Sequence, residues 1–89
     1  MKIETTRHYD RGFASLPASL QENVIEAIPD LVAAFGKPHT HRGLRKLGGH
    51  LYEFRVGLNW RIVFRHDGDT LYFLLIGTHD DVRRLIRSL

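Results

Sequence analysis

Glu53, Arg55 and Arg61 are the residues of this chain whose types and spacing best suit chemistry. They lie in the run Leu47-Gly48-Gly49-His50-Leu51-Tyr52-Glu53-Phe54-Arg55-Val56-Gly57 and in Trp60-Arg61-Ile62-Val63-Phe64 just beyond it. Alternation along extended backbone puts Glu53 and Arg55 on one face and Tyr52, Phe54 and Val56 on the other. A turn through Gly57, Leu58 and Asn59 pairs Val56 with Trp60, Phe54 with Ile62 and Tyr52 with Phe64, which gives one coherent apolar face. The same register sets Arg55 opposite Arg61, with Glu53 diagonally close to Arg61 and Arg65. Like charges paired across strands repel, so two facing arginines are costly as a structural device. A carboxylate accepts protons, and guanidinium forks bind oxyanions through paired donors. Together these types suit acid–base work on an anionic substrate.

The elements that must position them follow from pattern. Lys2-Ile3-Glu4-Thr5-Thr6 reads as a short strand ending at a threonine able to cap a helix. Tyr9, Phe13 and Leu16 follow helical spacing across Gly12. Pro17 opens a second helix, whose apolar stripe is Leu20, Val24, Ile25, Ile28, Leu31, Val32 and Phe35. A kink or short break is expected at Pro29, and Gly36 with Pro38 ends the segment. Residues 37–49 read as a basic, glycine-containing connector. Three strands follow, roughly 50–56, 59–66 and 70–76, and Leu71 to Ile76 is apolar enough to lie inside the sheet, with the first strand along its free edge. A short helix capped by Thr78 or His79 closes the chain, with Val82, Leu85, Ile86 and Leu89 as its apolar side. The predicted fold is α+β, in the order β-α-α-β-β-β-α. A helical hairpin packs on one face of a mostly antiparallel four-stranded sheet, the helices gather on that face, and the other face stays partly open.

Composition narrows the function classes. Residues 1–89 read as a single domain, 43% hydrophobic and 26% charged, which is globular rather than disordered. With no cysteine the chain has neither a disulfide framework nor a thiolate metal site. The start of the chain lacks the apolar run of a signal peptide, and no segment reaches membrane-spanning length, so a cytoplasmic protein with no membrane partner is expected. Charge is uneven. Residues 1–36 carry three basic and five acidic side chains, whereas residues 37–89 carry ten basic and five acidic ones and five of the six histidines. A positive half suits a polyanion, whose counterions are released on binding; a solvated basic surface is the plain alternative. His39 and His41 share a side of an extended segment, but two ligands in a loop make no metal site.

The run Lys46 to Gly57, the Trp60-Arg61-Ile62-Val63-Phe64 strand, the ending Ile76-Gly77-Thr78-His79-Asp80-Asp81-Val82 and the element order resemble the RelE/ParE superfamily of bacterial toxins. These are the toxin halves of type II toxin–antitoxin pairs. The resemblance spans essentially the whole chain and is most specific over residues 44–82. It implies one of two functions: RelE-like members are metal-independent ribonucleases that cut messenger RNA in the ribosomal decoding site, and ParE-like members poison DNA gyrase. Fold alone does not decide between them.

Carried over by position, the resemblance implies Glu53, Arg55, Arg61 and His79 as catalytic residues. In the best-known members the first position is lysine, and Glu53 matches a variant in which a carboxylate serves as general base. Many members also use an aromatic or histidine in the last helix, and here no aromatic residue follows Phe73. Cleavage through the RNA's own 2′-hydroxyl needs a base, positive charge at the non-bridging oxygens and an acid for the leaving 5′-oxygen. Glu53 would be the base, Arg55 and Arg61 the charge, and His79, whose type titrates near neutrality, the acid. No metal or other cofactor is required. Lys37, Arg42, Arg45, Lys46 and Arg65 would track the RNA phosphates.

Each residue also has a purely structural reading. Glu53 neutralises a surface ion network, Arg61 ties the sheet to the chain end, His79 caps a helix, and the basic connector is solvated. Trp60 and Tyr52 read as core. The expected partners are a cognate antitoxin, mRNA and the ribosome; DNA gyrase is the alternative target, and an inactive family member a third reading. Phe73, Leu71 and Leu75 are expected to share the face of Arg61 as an apolar floor. The antitoxin would cover this floor or displace the C-terminal helix.

Overall fold

The computed structural model describes residues 1–37 and 43–88. In chain order the elements are β1 (Lys2–Thr5), α1 (Arg7–Ala14), α2 (Ala18–Gly36), β2 (Leu44–Gly48), β3 (Leu51–Val56), β4 (Trp60–Asp67), β5 (Thr70–Thr78) and α3 (His79–Arg87). The strands form one sheet in the order β1-β5-β4-β3-β2, with β1 parallel to β5 and every other pair antiparallel. The α1–α2 hairpin therefore carries the chain across one face, from one sheet edge to the other. Among the described residues no helix is long and apolar enough to cross a membrane.

Local chemistry accounts for the elements. Thr6 caps α1, its side chain accepting from the Tyr9 amide, and Pro17 is the N-cap of α2. Pro29 sits inside α2 without ending it. A proline leaves the carbonyl four residues earlier unbonded; that residue is Ile25, which is 56% exposed. The expected break is absent. Ile25 correspondingly leaves the buried stripe, of which Val24, Leu31 and Ala34 are buried.

The β3–β4 hairpin has the register the sequence predicts: Val56 faces Trp60, Phe54 faces Ile62, Tyr52 faces Phe64 and Arg55 faces Arg61. Gly57 takes a φ of 65° in the turn, the left-handed region that favours glycine. β1 lies along β5 as expected. Three features differ from expectation.

The basic connector contains a fifth strand, β2, whose Arg45 pairs with Glu53. With only Leu44 and Leu47 apolar, it has too little alternation to stand out. Next, the β4–β5 ladder slips between Val63 and Phe64: Val63 faces Leu75 but Phe64 faces Phe73, leaving Leu74 as an extra residue. The bulge inverts parity along β5. Leu71 and Phe73 consequently fall into the core beneath α1 and α2 with Tyr9, Leu31, Ile62 and Phe64. Only Leu75 shares the face of Arg61.

Finally, α3 does not join the other helices. Val82 packs with Val63 and Leu75 on the opposite face, flanked by Leu47, Leu51 and Leu85, in a second and smaller core. Of the three residues expected to form an open apolar floor only Leu75 is on this face, where it joins Val63 beneath α3. Pro38, His39, Thr40, His41, Arg42 and Leu89 lie outside the described residues.

Candidate active site

Glu53 is the centre of the polar half of that second face. Pleating turns it away from the α1–α2 core. Its neighbours on β2 and β4 bring Arg45 and Arg61 to the same oxygen: Arg45 Nε and Arg61 Nη1 each lie 3.3 Å from Glu53 Oε1. Glu53 is 2% exposed, the Arg61 side chain 17% and the Arg45 side chain 66%. The carboxylate is therefore buried under its own counter-ions, and Arg61 is largely desolvated while Arg45 reaches water. A buried carboxylate is tolerable only with such pairing. Arg61 Nε is buried and finds no hydrogen-bond acceptor, so this guanidinium holds a donor not used by the fold.

Arg55 sits opposite Arg61 and is exposed. It lies beyond the last pair of the β2 ladder, where only its amide is still bonded, to the Gly43 carbonyl. No ion pair holds its side chain among the described residues, so Arg55 is a cation facing water beside the Arg45–Glu53–Arg61 cluster.

His79 enters this end of the sheet from β5. Gly77 faces Arg61 and Thr78 faces Trp60, so the chain passes the arginine just before α3 begins. The cap of α3 is Thr78, not His79. The Thr78 hydroxyl accepts from the Asp81 amide at 3.3 Å, and the Asp81 carboxylate accepts from the Thr78 amide at 2.9 Å. The bond from the Thr78 amide, with smaller contributions from the Thr78 side chain and Arg84 that act against burial, holds the Asp81 carboxyl below its ordinary value of 3.8. His79 is relieved of capping and remains exposed.

The basic residues expected to follow RNA are dispersed. Arg45 joins the Glu53 cluster. Arg65 lies on the same face farther along β4, with Nη1 3.4 Å from Asp67 Oδ2 and its guanidinium 4.9 Å from the Tyr72 ring centroid. Lys46, adjacent to Arg45, points to the other face, where its ammonium is 6.0 Å from the Tyr52 ring. Lys37 is the C-cap of α2, and Arg42 lies outside the described residues. Arg83 and Arg87 rise from the exposed side of α3 one turn apart. Among the described residues no three histidine, aspartate or glutamate side chains gather as a metal site.

No protein-family profile matches the chain, and no curated protein matches it by sequence. Solved structures do match by fold. A YoeB/ParE toxin from Agrobacterium tumefaciens superposes with a TM-score of 0.68 at 20% identity, over 89% of this chain and 99% of its own. The archaeal RelE–RelB complex from Pyrococcus horikoshii gives 0.68 at 18% identity, over 86% and 92%. The toxin–antitoxin complex RelBE2 from Mycobacterium tuberculosis gives 0.62 at 21% identity, over 88% and 96%. The fold of this chain is that of the RelE, YoeB and ParE toxins.

Proposed function

We propose that this chain is the toxin of a type II toxin–antitoxin pair and an endoribonuclease that cleaves mRNA on the ribosome, arresting translation. The observation that carries this reading is the pair of facing arginines, Arg55 and Arg61, set beside a buried carboxylate on the face opposite the main core. A fold shared with toxins solved alone and in complex with antitoxins supports it.

Roles follow from exposure. Arg55, exposed, and the part of the Arg61 guanidinium that reaches the surface bind the scissile phosphate and stabilise the charge that develops on its oxygens as the 2′-hydroxyl attacks. His79, exposed beside this end of the sheet, gives a proton to the departing 5′-oxygen. Burial changes the part of Glu53. A general base must reach the proton it removes, whereas a carboxylate at 2% exposure with an oxygen shared by two guanidiniums is built to hold them in place. Glu53 is therefore a positioning residue for Arg61 and Arg45, and the proton of the attacking 2′-hydroxyl passes to solvent water at this open face, while His79 regains from solvent the proton it gives to the 5′-oxygen.

The antitoxin is the expected protein partner. Because α3 covers the small apolar floor through Val82 and Leu85, a partner reaches that floor by displacing α3 rather than by settling on an open face.

A second reading, a ParE-like gyrase inhibitor, is favoured by the lack of an aromatic residue after Phe73 and by Arg61 being tied into an ion cluster that would also serve the fold alone. Pulse-labelling of protein and DNA synthesis after induction in bacteria separates the two. The nuclease reading predicts that translation collapses first and that Arg61→Ala and His79→Ala both relieve toxicity. DNA synthesis failing first, with His79→Ala still toxic, contradicts it.

A further inference from the structure

The two edges of the sheet differ in how they would meet a second copy of the chain. β2 forms one edge and carries Arg45 and Lys46 at its middle. A copy paired across that middle sets a basic residue against itself, a common guard against edge-to-edge association. β1 forms the other edge. Its four residues, Lys2, Ile3, Glu4 and Thr5, are all exposed. Lys2 and Glu4 make no ion pair among the described residues. The bonds from β1 to its neighbour β5 come from even positions: the Lys2 amide donates to the Asp69 carbonyl at 2.8 Å, and just past the strand the Thr6 amide donates to the Phe73 carbonyl at 3.1 Å. By alternation the amide and carbonyl of Ile3, and those of Thr5, point away from the sheet. The Ile3 side chain is itself 36% exposed.

We propose that β1 is a dimerisation edge, which pairs antiparallel with β1 of a second copy about a two-fold axis at Ile3. The strand itself sets this register. The outward amide and carbonyl of Ile3 exchange two hydrogen bonds with those of the other Ile3, and Thr5 meets residue 1 of the second copy in the same way. Lys2 then stands opposite Glu4 of the second copy, and Glu4 opposite its Lys2, so both flanking pairs join opposite charges. The two Ile3 side chains meet on the other face of the sheet. A shift of one residue would set Lys2 or Glu4 against itself. Such a contact is isologous and consumes the edge, so association stops at two copies. The axis runs normal to the sheet, which makes the two sheets continuous and leaves both Glu53 faces looking the same way. One short strand supplies the contact, so the dimer is a weak one. None of this depends on the ribonuclease reading.

Sedimentation velocity on the full chain over a concentration series, with amide exchange followed by NMR, tests the edge. The expected result is a mass rising from one chain to two between about 10 μM and about 1 mM. Over the same range exchange should slow at Ile3 and Thr5 and stay as it was at Lys2 and Glu4, whose amides face β5. Lys2→Glu and Glu4→Lys each place like charges across the strands, and each should raise the concentration of half-association by about tenfold or more. Mixed together, these two variants should pair with each other at the original concentration, because every cross-strand pair is again opposite in sign. That rescue requires both chains to be folded. Ile3→Pro removes an outward amide that β5 does not use, and should leave a single chain whose other resonances stay in place. A chain that stays single at about 1 mM, a dimer in which Ile3 and Thr5 still exchange freely, a dimer that survives Ile3→Pro, or folded variants that do not pair when mixed would overturn the proposal. Protection of Ile3 and Thr5 that appears only when an antitoxin is added would also overturn it, by giving the edge to that partner.

Discussion

Glu53 shows how far a single position was readable. Its face and its contact with Arg61 follow from alternation and from the hairpin turn, both local properties of the chain. Its burial does not, because burial depends on Arg45, which arrives from a strand with almost no apolar signature. The energetics follow from that burial. Glu53→Gln keeps the shape but leaves a largely desolvated Arg61 without a counter-charge. Breaking a buried pair costs roughly 3–5 kcal/mol, and the partial exposure of Arg61 reduces this to about 2 kcal/mol in urea denaturation. Arg45→Ala, made at a side chain 66% exposed, should cost less than about 1 kcal/mol. Equal losses for the two variants would mean that Glu53 answers to both arginines alike. Tyr9 supplies a separate prediction on the other side of the sheet. Burial, with a smaller contribution from Asp10, pushes its hydroxyl up to about 12 from 10.0. The folded state then keeps a proton that the unfolded chain has lost, so stability present below pH 10 falls as pH rises towards 12. Tyr9→Phe should flatten that alkaline decline in a Tm series.

Elements were readable where their signal is periodic, and obscure where one residue breaks the period. The β3–β4 register was legible because a slip would expose Trp60 and Ile62 and bury Arg61. The bulge at Leu74 was not, because Leu71 to Ile76 is apolar on both faces and either parity looks acceptable. That one extra residue moved Leu71 and Phe73 under α1 and α2, and with them the expected antitoxin floor. The placement of α3 was missed for a related reason: an amphipathic helix shows that it has an apolar side, not which sheet face will take it. Its docking depends on a close approach. A Cβ at Gly77 would lie 2.7 Å from Asp81 Cβ and 2.8 Å from Asp81 Oδ2, so Gly77→Ala must push the first turn of α3 off the sheet. The expected result is loss of the capping box, about 1–2 kcal/mol of stability, and faster amide exchange confined to α3. Exchange rates unchanged in α3 would show that the helix tolerates the shift. Acid should act on the same joint. Because the folded-state pKa of Asp81 is depressed, its stabilisation is present above the ordinary carboxyl range and is lost as pH falls through the folded value. Asp81→Ala should remove that part of the acid dependence.

On the scale of the whole molecule, charge is sorted by face as well as by chain half. Arg45, Arg55 and Arg65 share the Glu53 face, while Lys46 lies on the other with Tyr52. Composition revealed a basic half, yet neighbours in sequence such as Arg45 and Lys46 end on opposite sides of a strand. RNA affinity measured against salt should expose the difference. Single-stranded RNA loses about 0.7 in the log–log slope for each phosphate contact removed, so Arg55→Ala should reduce the slope by about that amount and Lys46→Ala should leave it unchanged. A reduction with Lys46→Ala would move the RNA path to the helical face. The central claim, that this face cuts RNA through the substrate's own 2′-hydroxyl, is tested most directly by the chemistry of the ends. RNA from cells induced for the chain would be mapped for its termini, beside Arg61→Ala. The account predicts new 5′-hydroxyl ends with 2′,3′-cyclic or 3′-phosphate partners, abolished by the substitution. Intact mRNA in growth-arrested cells, or 5′-phosphate ends that persist in Arg61→Ala, would contradict it.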